Sequence, residues 1–266
     1  MPIFDAHTHL FPKRLFGAIQ QHYEEHLWPV RYRGETEELI ATLLASGVER
    51  FVFSTYAHKP GLASGLNDFS AELARRHPQA LGLATFHPAD DVADLAERAF
   101  GKLGLAGLNV HCKAQECYPD DPGLWPAYRV AERLGKVVLI HCGPAPERSM
   151  YNDRSRFERA VRRFPDLKFI VAHMGADEFE GYLDLMAAYD NVYLDTAMVF
   201  AGWFDWKPRI TSLLEFQDRI LYGSDFPNLP YELERGVEGL RALQLGSNIE
   251  EKILYTNAAR LFGETQ

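Results

Sequence analysis

Cysteine is scarce, with only Cys112, Cys117 and Cys142 in 266 residues. An odd, small number at this length excludes a disulfide framework and makes a reducing cytoplasm the expected location. Basic charge is the minority sign. There are 28 Lys and Arg against 37 Asp and Glu, for a formal net charge of -9. That balance argues against nucleic acid and anionic membranes as partners, and leaves a small-molecule substrate as the expected one. No apolar run approaches the ~20 residues needed to cross a bilayer. The opening MPIFDAHTHL has no basic stretch leading into an apolar one, so no signal peptide is expected. No G-x-G-x-x-G follows the first apolar run, which removes support for a dinucleotide-binding sheet. No linker or low-complexity tract interrupts the chain, and residues 1–266 read as a single domain.

What is present is a rhythm. Short β-branched, apolar runs recur at Ile3–His7, Arg50–Thr55, Leu81–His87, Ala106–His111, Lys136–His141, Lys168–His173, Asn191–Asp195 and Arg219–Asp225. Such runs suit strands buried on both faces. Amphipathic stretches lie between them at Glu35–Ser46, Val92–Leu103, Trp125–Leu134, Phe157–Phe164 and Phe179–Tyr189. Several end in Gly just before the next run, as in ERLGKVVLI, and Gly tolerates the left-handed conformation that stops a helix. Eight strands alternating with helices predict a parallel sheet closed into a single (β/α)8 TIM barrel. An extra helical segment, Phe16–Trp28, follows the first strand and is placed to cover the catalytic face. A last helix, Ser247–Phe262, is predicted to start with a capping box at Ser247 and Glu250.

The histidines fall where barrel chemistry is done. Of ten, His7, His9, His111, His141 and His173 sit at the C-terminal ends of predicted strands one, four, five and six, and Asp225 ends strand eight. In a barrel these ends converge on the face that carries active sites. H-x-H alone is weak evidence, but residues i and i+2 of a strand face the same side, so His7 and His9 are able to share an ion. Together with His141 and Asp225 they make a mixed nitrogen and oxygen ligand set that suits zinc, and manganese, iron or cobalt less specifically.

These motifs, in this order, carry a resemblance. DAHTHL, FHP (86–88), LNVHCK (108–113), VLIHCG (138–143), FPDLKFIVAHMG (164–175), NVYLDTA (191–197), YGSDFP (222–227) and TNAARLFG (256–263) together resemble the amidohydrolase superfamily. The branch is the one containing the aminocarboxymuconate-semialdehyde decarboxylase-like enzymes. The resemblance implies one divalent ion, zinc first, held by His7, His9, His141 and Asp225. It makes Asp225 the proton shuttle as well, and places His173 beside the ion to polarise substrate or position water. It implies hydrolysis of an amide, ester or lactone by an activated, metal-bound water as the first reading. Non-oxidative decarboxylation of an aromatic or unsaturated acid is the alternative, and an inactive metal-binding barrel the second. The strand-four motif departs from the branch, with Asn109 where Lys is common. Lys113 shares the face parity of His111 and is the one candidate bridge to a second ion, but a single ion is preferred.

Further candidates are weaker. Arg148, after strand five, could bind a carboxylate bidentately, with Tyr151 beside it. His111 could line the pocket, and Trp203, Phe204 and Trp206 could form its wall or lid, although exposed aromatics also fit a homodimer interface. His58 is a lesser candidate. His22 and His26 lie i,i+4 on a helix, but Tyr23 stands where a zincin needs Glu. Cys112 and Cys142 follow site histidines and should point to the opposite face. The charged runs Glu97–Lys102 and Arg154–Arg163 read as solvated helix faces.

Overall fold

The computed structural model describes residues 1–144, 146 and 148–263. Its strands are β1 (Ile3–His9), β2 (Val48–Ser54), β3 (Ala80–Ala84), β4 (Gly107–His111), β5 (Val137–His141), β6 (Lys168–Val171), β7 (Val192–Asp195) and β8 (Ile220–Leu221). They follow one another in a single sheet in chain order, and the fold is the (β/α)8 barrel. The chain divides into two compact units, one of residues 1–53 with 195–266, the other of residues 54–194.

In the unit of residues 54–194, β3 to β7 pair in parallel and in sequence. Helices cover them, chiefly α3 (Ala63–Arg76), α4 (Val92–Glu97), α5 (Trp125–Arg133), α6 (Arg154–Arg163) and α7 (Phe179–Ala188). All five residues of β5, VVLIH, are buried. A continuous apolar run is what a strand covered on both faces requires. The β4–β5 register sets His111 opposite His141, so two site histidines arrive side by side.

In the unit of residues 1–53 and 195–266, β1 is buried throughout. Helices α1 (Lys13–His26) and α2 (Thr36–Ala45) follow it, and α8 (Ile210–Glu215), α9 (Glu234–Ala242), α10 (Ser247–Glu251) and α11 (Asn257–Leu261) complete the unit. The last two flank a wider turn at Lys252–Thr256. The inserted segment after β1 is fastened to the loop after β8. Trp28 Nε1 donates to the Asn228 carbonyl at 2.8 Å, Arg31 N–H to the Leu229 carbonyl at 2.8 Å, and Arg31 Nε to Glu232 at 2.7 Å.

Several expectations are corrected. Strand one runs on to His9 rather than stopping at His7. Strands six and eight are shorter than expected, ending at Val171 and Leu221. His173 and Asp225 therefore lie in the following turns, with left-handed φ of 57° and 69°. Strand four ends at His111, and Lys113 lies in the turn beyond it, so the face parity that suggested a bridging lysine does not extend to Lys113. The box at Ser247 does not form either. Gly246 is the capping residue, without a side-chain bond, and Ser247 is already helical.

Candidate metal centre

β1 delivers His7 and His9 to one face. His7 Nε2 lies 3.2 Å from His9 Nε2, and Asp225 Oδ1 lies 3.4 Å from the first and 3.1 Å from the second. All three residues are buried. Ligand atoms around a tetrahedral ion with bonds of about 2.0–2.1 Å are separated by about 3.3 Å. These three atoms therefore already stand at coordination spacing, and their chemistry fits a divalent cation.

What aims them is a set of buried carboxylates. Asp195, at the end of β7 and fully buried, lies 2.9 Å from His7 Nδ1 through Oδ2. Its other oxygen accepts the Ala197 N–H at 3.0 Å. In the neutral ring, with the Nδ1 proton donated to Asp195, the lone pair of His7 sits on Nε2, the atom facing His9 and Asp225. Asp5 accepts the N–H of His7 at 3.1 Å and that of Ser224 at 3.0 Å, tying β1 to the turn that carries Asp225. The approach is close because residue 223 is glycine, where a Cβ would stand 2.7 Å from the His7 Cβ. Without a metal, burial pulls the pKa of His7 down but the carboxylates of Asp195, Asp225 and Asp5 outweigh it, raising it to about 9. Burial raises Asp5 to about 7 against its hydrogen bonds.

The other unit presents a row of rings. Tyr56 meets His111 edge-on at 5.1 Å, His111 stacks on His141 at 4.6 Å and 3°, and His141 meets His173 edge-on at 5.5 Å. His173 is reached through a left-handed run, His173, Met174 and Gly175 with φ of 57°, 52° and 80°. Non-glycine residues held in this conformation cluster at functional sites, and His173 and Asp225 are both of this kind. Asn109 donates from Nδ2 to the Thr55 carbonyl at 2.9 Å and is spent on the fold.

The remaining candidates separate. Arg148 is 73% exposed and donates to Asp177 Oδ2 at 2.6 Å. Tyr151 packs edge-on against Tyr118 at 5.3 Å. Trp203 is 43% exposed beside Tyr231, whereas Phe204 stacks on Trp206 at 4.1 Å and packs on Trp28. His58 is half-buried, and burial followed by the charge of Lys59 lowers its pKa. Cys112 and Cys142 are buried thiols raised by desolvation, unsuited to nucleophilic attack. Sequence reasoning missed Asp195, Asp5 and Tyr56. For the two carboxylates the signals were D-x-H at the start of β1 and the Asp ending NVYLD.

The amidohydrolase family model matches residues 4–263, nearly the whole chain, and the protein belongs to that family. A curated relative, the 2-amino-3-carboxymuconate-6-semialdehyde decarboxylase of Dictyostelium discoideum, is 23% identical over 241 residues. The match covers 76% of this chain and 66% of the relative, so the chain spans just under two thirds of that protein's length. Among solved structures, the 5-carboxyvanillate decarboxylase of Sphingomonas paucimobilis superposes with a TM-score of 0.70 at 20% identity, covering 99% of each chain. That of Novosphingobium aromaticivorans, with bound manganese and 3-methoxy-4-hydroxy-5-nitrobenzoic acid, gives 0.69 at 18% identity, over 98% of this chain and 97% of the other.

Proposed function

We propose that this protein is a metal-dependent, non-oxidative decarboxylase of a small aromatic or unsaturated carboxylic acid. The hydrolysis that the sequence favours first gives way to the alternative. The observation that carries this choice is the kinship with a decarboxylase over three quarters of the chain. The proposed ligands of a single divalent ion are His7, His9, His141 and Asp225, zinc or manganese being the candidates. A divalent cation bound there would act as a Lewis acid, drawing electron density from coordinated oxygens.

The chain's own groups do the rest. Asp225 holds a proton at its carboxyl and gives it to the carbon that bears the substrate carboxylate. The bond to the carboxylate then breaks, carbon dioxide leaves, and the electron pair returns to the unsaturated system. One proton is consumed and no redox partner is needed. His173 is proposed to hydrogen-bond the departing group, in the manner of an oxyanion donor. His111, fixed against His141, and Tyr151 are proposed to line the substrate. Arg148 serves only if the substrate carboxylate displaces Asp177.

The test is a paired assay on metal-loaded protein. Carbon dioxide release is measured from 5-carboxyvanillate and 2-amino-3-carboxymuconate-6-semialdehyde, and hydrolysis from a panel of lactones, esters and amides in isotopically labelled water. The label is in the water oxygen, and release without labelled oxygen entering the organic product is expected, since the proton that replaces the carboxylate comes from solvent in either case. Label uptake without release restores the hydrolase. Asp225→Asn should lower turnover by at least about a hundredfold, the usual weight of a general acid. Full activity in that variant would remove the proton from Asp225.

A further inference from the structure

Among the described residues, a pair of imidazoles on α1 lies outside this centre. His22 and His26 are one helical turn apart near the C-terminal end of α1, both exposed. Their rings stack at 4.6 Å with an interplanar angle of 24°. Residues i and i+4 of a helix share a face, so both imidazoles leave the helix on the same side. The second observation concerns the tautomer. His26 Nδ1 lies 3.0 Å from the His22 carbonyl, an oxygen that can only accept, so Nδ1 carries the proton and the lone pair is on Nε2. Fixing one ring nitrogen as a donor to a carbonyl, leaving the other bare, is how protein sites prepare an imidazole for a metal.

We propose that His22 and His26 form a second, surface site for a divalent transition-metal ion of the kind imidazole prefers, with water completing its coordination. Chelation requires the stacked rings to rotate out of parallel until two nitrogens reach the ~3.3 Å that bonds of about 2.0–2.1 Å demand. Tyr23 replaces the glutamate a zincin would use, so the site binds and does not hydrolyse. Its place in the fold gives it a consequence. The N–H groups of Leu27 and Trp28 both donate to the Tyr23 carbonyl, at 2.8 and 2.9 Å, and the Tyr23 ring packs on Trp28. Trp28 is anchored to the Asn228 carbonyl, and the Asn228 N–H donates to the carbonyl of Asp225 at 3.1 Å. An ion bridging His22 and His26 staples the last turn of α1 and stiffens the chain's hold on the turn that carries Asp225.

Protein already carrying its core ion is titrated with Ni2+ by calorimetry. One further equivalent is expected for the wild type. Its affinity should fall by roughly a hundredfold in His22→Gln and in His26→Gln, because each leaves a single imidazole in place of a chelate. Retention of the core ion reports that both variants are folded. Amide exchange over residues 23–28 should slow with Ni2+ in the wild type alone. Absence of the further equivalent, or its persistence at full affinity in both variants, overturns the proposal.

Discussion

Asp195 determines which nitrogen of His7 faces the other ligands. A buried carboxylate at 2.9 Å accepts from Nδ1, whereas an amide there could donate as readily and let the ring turn or change tautomer. Asp195→Asn should therefore weaken metal binding by about 10–100-fold, measured by competition with a chelator, with secondary structure unchanged. The proton on His7 sets a second outcome. Its pKa near 9 in the metal-free protein means a proton must leave before Nε2 can ligate. Apparent metal affinity should rise roughly tenfold per pH unit from neutrality to about pH 9, then level off. Metal-free stability runs the other way. The stabilisation of His7 is complete below 6.5 and is lost as pH rises through about 9. Asp5, raised from 3.8 to about 7, adds a loss between about pH 4 and 7, because the folded state gives up that proton later than the unfolded chain. Thermal melts of chelator-treated protein at pH 6.5 and pH 9 would show the decline. His7, His9 and Asp225 were legible in the sequence because each closes or follows an apolar, strand-like run, where a polar side chain stands out. Asp5 and Asp195 were not, because a carboxylate that orients a ligand looks the same in sequence as one that caps a turn.

Turns, more than strands, place the chemistry. The expected strands six and eight carried His173 and Asp225 as final extended residues, and both lie in left-handed turns beyond strands that are shorter. β-branched runs announce where a strand begins, but the left-handed step that ends it depends on packing, as Gly175 shows. A Cβ at Gly175 would fall 1.9 Å from the Tyr182 ring, at φ of 80°, and the Tyr182 hydroxyl donates to the Cys142 carbonyl at 3.0 Å. Gly175→Ala should cost at least about 1–3 kcal/mol in urea unfolding, the usual scale of overpacking. It should also lower activity through His173, two residues away. Helix α3 was missed for a related reason. Its buried face includes Asn67 and Ser70 beside Ala63, Leu66 and Leu73, so the apolar stripe is broken. Asn67 is buried because it pairs twice with Thr85, donating at 3.1 Å and accepting at 2.8 Å. A polar residue satisfied by the backbone of the next strand's end carries no hydrophobic signal.

Across the whole molecule the strand rhythm was enough to give the barrel, since a strand covered on both faces must be apolar throughout. The division into compact units was not legible, because one of them joins residues 1–53 to 195–266 and no linker marks the seams. Metal binding should be visible at this scale too. An ion at a hundredfold excess over its dissociation constant adds about 2.7 kcal/mol. That corresponds to roughly 5–10 °C in melting temperature for a chain of this size. Calorimetry with and without chelator should show a shift of that order that returns when the ion is restored, and no shift would argue against a resident ion. The same discontinuity has a consequence during synthesis. His7 and Asp195 are 188 residues apart, so at ~5–20 residues per second the ribosome adds the second about 10–40 s after the first. Residues 54–194 are complete before Asp195 is made. On a growing chain, the histidine pair emerges before either of its carboxylates, Asp195 and Asp225, and it must wait for both before it can hold anything.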